Sequence, residues 1–224
     1  MRRFLREQSL SLFFLAIFLA ALVGQAIAGH ALHNQEAIEH GGEAVSIWAY
    51  VTSSDFGNAV MENWQSEYLQ FMLLMLATIW FVQRGSPESK PVGASGREGP
   101  KRQRLGHYAD PDSPAWARLG GWRTRLYSNS LLVVMALIFL GSWFAQSVTG
   151  WTAFNAEQAD HHQAAVSWWS YVGSASFWEA TLENWQSEFL AVGSFAVLAV
   201  FLRQRGSPES KPVGASHDAT GIEG

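Results

Sequence analysis

The chain has 224 residues, 48% apolar and 15% charged, with a formal net charge of −4 and no cysteine. Disulfides and thiolate metal ligands are excluded, and a net acidic chain calls for no nucleic-acid partner. The mean hydropathy of +0.01 averages four apolar runs with three polar stretches, so it is no argument for a water-soluble fold.

The N-terminus carries Arg2, Arg3 and Arg6 before an apolar run at residues 9–28. With Ala26-Ile27-Ala28 ahead of Gly29, this stretch resembles a secretory signal peptide with its cleavage site. An internal copy of the same segment argues instead for an uncleaved first helix. Residues 5–95 and 126–216 align without a gap at an offset of 121, with 40 of 91 positions identical. Further apolar runs at residues 64–82, 128–148 and 185–202 complete a set of four. Each is close to the ~20 residues that cross ~30 Å of hydrocarbon. The expected fold is an all-α integral membrane protein: four transmembrane helices from two parallel-repeat hairpins, each with a partly helical outer loop. Its expected parts are a first hairpin at 1–95, a basic cytoplasmic linker at 96–125, a second hairpin at 126–216 and a tail at 217–224. Two crossings per copy give both hairpins one orientation and a pseudo-twofold axis along the membrane normal.

Residues 29–62 contain neither Arg nor Lys, and the same holds for 150–183. The linker and tail are rich in both, so the positive-inside rule places the termini and linker in the cytoplasm and both loops outside. In the first loop the spacing predicts a helix over residues 31–40 that stops at Gly41-Gly42. A second helix starts at Ser53 or Ser54 and continues into the membrane, and its counterpart starts at Ser174 or Ser176. Aromatic residues Trp48, Tyr50, Phe56 and Trp64, matched by Trp169, Tyr171, Phe177 and Trp185, suit an interfacial belt.

Glu62-Asn63-Trp64-Gln65-Ser66-Glu67 recurs as Glu183-Asn184-Trp185-Gln186-Ser187-Glu188. Glu67 and Glu188 lie about one turn inside the apolar boundary, where ionisable groups usually face protein. Gln25 and Gln146 lie at similar depth on the first helices, so a Gln to Glu hydrogen bond is expected within each hairpin. The polar cluster therefore comprises Gln25, Asn63, Gln65, Glu67, Gln146, Asn184, Gln186 and Glu188. It reads as helix packing first, and as an ion or proton site second. Glu36, Glu39 and His40, with Glu157, Asp160 and His161, share helix faces at i, i+3 and i+4 spacing. That could be a metal site suited to Zn, Mn or Fe, but a solvated polar face is the stronger reading, and no cofactor is expected. His30, His33, Glu43 and His162 add ligand types without matching between copies.

Both copies end in the thirteen residues Gln83 to Ser95 and Gln204 to Ser216. Gly85 can take a left-handed cap, and Pro87 and Pro91 forbid helix continuation. Arg84, Lys90, Arg205 and Lys211 are candidates for lipid head-group contact. Residues 96–121, rich in Gly, Pro and charge, read as a mobile linker near the inner surface. There is no Walker loop, dinucleotide Gly-rich turn, His-Glu-x-x-His helix or nucleophile elbow.

The repeated Asn-Trp-Gln-Ser-Glu motif and its Arg-Gly-Ser-Pro-Glu-Ser-Lys-Pro ending resemble a family of small bacterial multi-pass membrane proteins of unknown function. The resemblance covers both copies, at residues 62–67, 83–91, 183–188 and 204–212. It implies a bacterial cytoplasmic membrane location and no catalysis. The expectation is a non-enzymatic structural or accessory membrane component, partnered by the bilayer and by copies of itself or a larger complex. The alternatives are a small ion- or proton-coupled transporter or channel using the paired Glu residues, and a metal-binding outer domain.

Overall fold

The computed structural model describes residues 2–224, and the start of the expected uncleaved first helix at Met1 lies outside the described residues. Among the described residues the fold is helical, with no strand. In chain order the helices are α1 (Arg2–Glu7), α2 (Ser9–Glu39), α3 (Ile47–Val51), α4 (Ser54–Trp80), α5 (Ala115–Leu119), α6 (Gly121–Tyr127), α7 (Ser130–Asp160), α8 (Trp168–Val172) and α9 (Ala175–Phe201), with a 3-10 turn at Gly106–Tyr108. The bounds of α2, α3 and α4 recur in α7, α8 and α9 at the same offset of 121 that aligns the two sequence copies. Two helices, α2 and α7, are long and apolar enough to cross a membrane.

The expected break after residue 28 does not occur. The first run and the predicted loop helix fuse into one 31-residue α2, about 46 Å long at 1.5 Å per residue. No proline interrupts it, and Gly29 is retained for a packing reason given below. The stop falls where predicted, with Gly41 left-handed at φ 78°. Helix starts also follow the reading: Ser53 Oγ accepts from Phe56 N–H at 3.3 Å, and Ser174 Oγ accepts from Phe177 N–H at 3.3 Å. Short α3 and α8 were not foreseen, although their signal is an N-cap serine before an apolar run. Ser46 Oγ accepts from Ala49 N–H at 3.2 Å, and Ser167 Oγ from Ser170 N–H at 3.2 Å.

The chain divides into two compact units, Met1–Met61 with Ala145–Val172, and Glu62–Phe144 with Gly173–Gly224. In the first, α2 buries none of its residues, and Leu10, Phe13, Phe14, Val23 and Ile27 are each more than half exposed. Its buried apolar side chains are Tyr50 and Tyr171; the rings of His30, His33 and Phe56 meet Tyr50, and the ring of Phe154 meets Tyr171. Gly57 at the start of α4 comes close to α7: a Cβ there would lie 3.1 Å from Thr149 Cγ2.

The second unit is organised around Trp143, which stacks on Phe139 (centroids 5.6 Å apart), meets Trp178 edge-on at 6.0 Å and lies 5.7 Å from Trp185. Offset-stacked and edge-to-face pairs of this kind contribute about 0.5 to 1.5 kcal/mol each beyond area burial. The stretch read as a mobile linker carries built structure. Thr124 Oγ1 donates to Trp116 O at 2.6 Å, joining α5 to α6, and Arg104 pairs with Asp110 at 2.9 Å. Its Gly and Pro residues shape turns.

Candidate functional site

In the first unit the loop after α2 and the loop after α7 are closed by the same device. Asn34 Oδ1 accepts from Val45 N–H at 2.8 Å while its Nδ2 donates to Val45 O at 3.0 Å. Asn155 brackets Val166 identically, at 2.8 and 3.1 Å. An amide side chain here takes the place of a paired strand, satisfying both backbone groups of a loop residue. Four residues matched between the copies build each clasp: Gly29, Asn34, Val45 and Tyr50, with Gly150, Asn155, Val166 and Tyr171. The glycines admit the tyrosines, because a Cβ on either would collide with the tyrosine Oη. The sequence reading assigned Tyr50 and Tyr171 to an interfacial belt and gave no role to Asn34, Val45, Asn155 or Val166, although all four pairs were visible as identities.

The unmatched histidines have the same explanation. His30 Nε2 approaches Val45 O at 2.8 Å, and Trp151 Nε1 at the equivalent position donates to Val166 O at 2.7 Å. The same nitrogen of His30 lies 2.9 Å from Asn34 Nδ2, which joins His30 to the clasp. His33 lies against Tyr50 with centroids 5.4 Å apart, and its counterpart Phe154 lies against Tyr171 at 5.5 Å. His33 adds one contact of its own, to Asp55 at 3.5 Å. The candidate metal side chains are exposed and engaged locally: Glu39 accepts from Gln35 at 2.9 Å, and His40 Nδ1 turns back to Glu36 O at 2.8 Å. Glu157, Asp160 and His161 are exposed too. Among the described residues no group of three or more His, Asp or Glu side chains could hold an ion. His162 instead occupies the helix stop, left-handed at φ 55° where its counterpart is Gly41.

The two Asn-Trp-Gln-Ser-Glu motifs lie in the second unit and are bonded to each other. Asn184 Nδ2 donates to Glu62 Oε1 at 3.0 Å, and Trp185 Nε1 donates to Gln65 Oε1 at 2.7 Å. Identical sequences thereby take different environments. Gln65 and Ser66 are buried, whereas Gln186 and Ser187 are exposed. Asn63 and Glu67 lie on the exposed side, and Asn184 and Glu188 are half-buried. Of the proposed glutamine partners, Gln25 is half-buried and Gln146 is 1% exposed; both fall in the first unit, and Glu67 and Glu188 fall in the second.

The thirteen-residue ending folds the same way twice. Gly85 and Gly206 are left-handed, at φ 86° and 83°. Ser89 Oγ accepts from Gln83 N–H and Ser210 Oγ from Gln204 N–H, both at 2.9 Å. Each lysine ammonium then ties the following chain: Lys90 to Gly96 O at 2.8 Å, and Lys211 to Ser216 O, His217 O and Ala219 O at 3.2, 2.9 and 3.2 Å. Lys211 is 1% exposed, and loss of solvent lowers its pKa, so it stands inside the turn rather than at a head-group surface. Arg84 and Arg205 are exposed and Lys90 half-buried. The tail docks on the first copy, with Gly85 N–H donating to Thr220 Oγ1 at 2.8 Å and Gly221 N–H to Ser86 O at 3.0 Å. The two turns also meet through their acids. Loss of solvent, a hydrogen bond to Glu209 and the charge of Glu209 together push Glu88 up to about 7.

No curated protein and no solved structure matches the chain. A family model described as a domain of unknown function, DUF6766, matches residues 1–222. With nearly its whole length covered, the chain belongs to that family.

Proposed function

We propose that the protein is a non-enzymatic, four-crossing component of the bacterial cytoplasmic membrane, with a structural or accessory role in its own oligomer or a larger complex. The observation that carries this reading is the outward display of large apolar side chains along whole helices. On α2 no residue is buried, and on α9 Leu190, Val197, Leu198 and Phe201 are each more than half exposed. Apolar surface costs about 25 cal/mol per Å² in water, so faces of this extent call for hydrocarbon around them. Cations confined to the N-terminus, linker and tail put those segments inside and the clasped loops outside. The mutual bonding of the Asn-Trp-Gln-Ser-Glu motifs supports packing as their role in preference to an ion site. Trp48 and Trp169, at equivalent positions and both 77% exposed, offer the outer surface a partner would cover.

A chain without cysteine suits single-cysteine labelling. Glu43→Cys and Gln163→Cys should react with a membrane-impermeant maleimide on intact spheroplasts, and Lys101→Cys only after permeabilisation. Labelling of Lys101→Cys from the same side as the loops would sink the four-crossing topology.

A further inference from the structure

Within the second unit the linker encloses a cavity of about 750 Å³ whose lining carries both signs of charge. Lys90 and Arg104 on its wall are paired, with Glu98 at 3.6 Å and Asp110 at 2.9 Å. Arg97 and Asp112 also line it, and neither has an ion-pair partner among the described residues. Arg97 is held over the Trp80 ring, 5.8 Å from the centroid, at the end of α4. The cavity shares Ile79, Tyr127, Ser128 and Asn129 with a neighbouring groove, whose remaining wall is Met75, Ser130, Leu131 and Leu132. A polar chamber with one uncommitted cation and one uncommitted anion thus opens into a groove of mixed lining, whose apolar surface comes from Met75, Ile79, Leu131 and Leu132, between the last turns of α4 and the first turn of α7.

The depth of this feature is set by α5 and α6. Trp116, Leu119 and Trp122 are exposed there among Arg118, Arg123 and Arg125, a pattern of interfacial anchors. A molecule with a charged end and an apolar tail is therefore what the surroundings supply.

We propose that cavity and groove hold one phospholipid of the leaflet bordering the linker, with an amine-bearing head group: its phosphate meets Arg97, its ammonium meets Asp112, and an acyl chain lies along Ile79, Leu131 and Leu132. Two opposite unpaired charges facing one cavity are complementary to a zwitterion, whereas a purely anionic head group would leave Asp112 opposed to it. This assignment rests on the membrane reading above.

The test is native mass spectrometry of the full chain released from nanodiscs of phosphatidylcholine doped with phosphatidylethanolamine or phosphatidylglycerol. Retention of one phosphatidylethanolamine, preferred about tenfold over phosphatidylglycerol, is expected, a difference worth about 1.4 kcal/mol. Arg97→Ala should lower retention of both, and Asp112→Lys should reverse the preference, which an unfolded variant could not do. Equal retention of the two lipids, or an unaltered preference in Asp112→Lys, would overturn the assignment. So would displacement by soluble glycerophosphoethanolamine at equal concentration, which would make the ligand a free phosphodiester. A chain that enters nanodiscs yet keeps no lipid loses this site and retains its membrane placement; one that never enters them loses both.

Discussion

The loops after α2 and after α7 reach one architecture with different residues. The clasp of Asn on Val and the seat of Tyr against Gly are identical in both. Around them, His30 and Trp151 supply the same hydrogen bond to a carbonyl, and His33 and Phe154 the same ring contact with a tyrosine. What persists between the copies is a backbone requirement, and what varies is any side chain able to place an N–H or a ring. His30 and His33 each make a contact that a non-histidine residue makes in the second copy.

Breaking the shared elements should cost most. Gly29→Ala places a Cβ on Tyr50 Oη and should destabilise by about 2 to 3 kcal/mol, the range for overpacking. Adding Tyr50→Phe should restore only part of that loss in thermal unfolding of the detergent-solubilised protein, since Cζ, which phenylalanine keeps, would still lie 2.9 Å from the new Cβ. Gly150→Ala should be rescued less by Tyr171→Phe, because its Cβ would also lie 2.6 Å from Asn58 Oδ1. Equal rescue in both copies would contradict the packing described. Next, Asn34→Ala and Asn155→Ala each remove two hydrogen bonds to one loop residue and should cost about 2 kcal/mol. Faster amide exchange at Val45 or Val166 reports the opening directly.

The interchangeable positions sharpen the comparison. His30→Ala should cost about 1 kcal/mol, one net hydrogen bond, while His30→Trp, which copies the second loop, should leave unfolding nearly unchanged. A large loss in the tryptophan variant would show that the loops are not equivalent. His162→Gly should stabilise by about 0.5 to 1 kcal/mol, since left-handed backbone penalises a side chain and glycine removes that strain. A lower unfolding temperature would count against the cap.

The smallest effect concerns the paired acids of the repeated endings. Glu88 is raised from 4.5 to about 7, so the folded state holds a proton that the unfolded chain releases across that interval. Stability should be greatest below pH 4.5 and fall as pH rises through about 7. The side chain is partly exposed, which weakens the effect, and Glu88→Gln should flatten the slope. An unchanged slope would mean that Glu88 does not hold the proton.

The sequence by itself determined the helical class, the positions of α2, α4, α7 and α9 and the left-handed stop at Gly41. It also placed the caps at Ser53 and Ser174, because these depend on local chemistry: apolar length, cap hydroxyls and turn residues. It misplaced the break near Gly29, since a glycine kept for a distant tyrosine looks the same as one kept for a turn. Only the tertiary structure decided that Lys211 is enclosed, that Gln65 is buried while the identical Gln186 is exposed, and that the linker forms a cavity. Those outcomes depend on which groups meet once the chain has folded. Two identical motifs carry identical local information, so only packing can make them different.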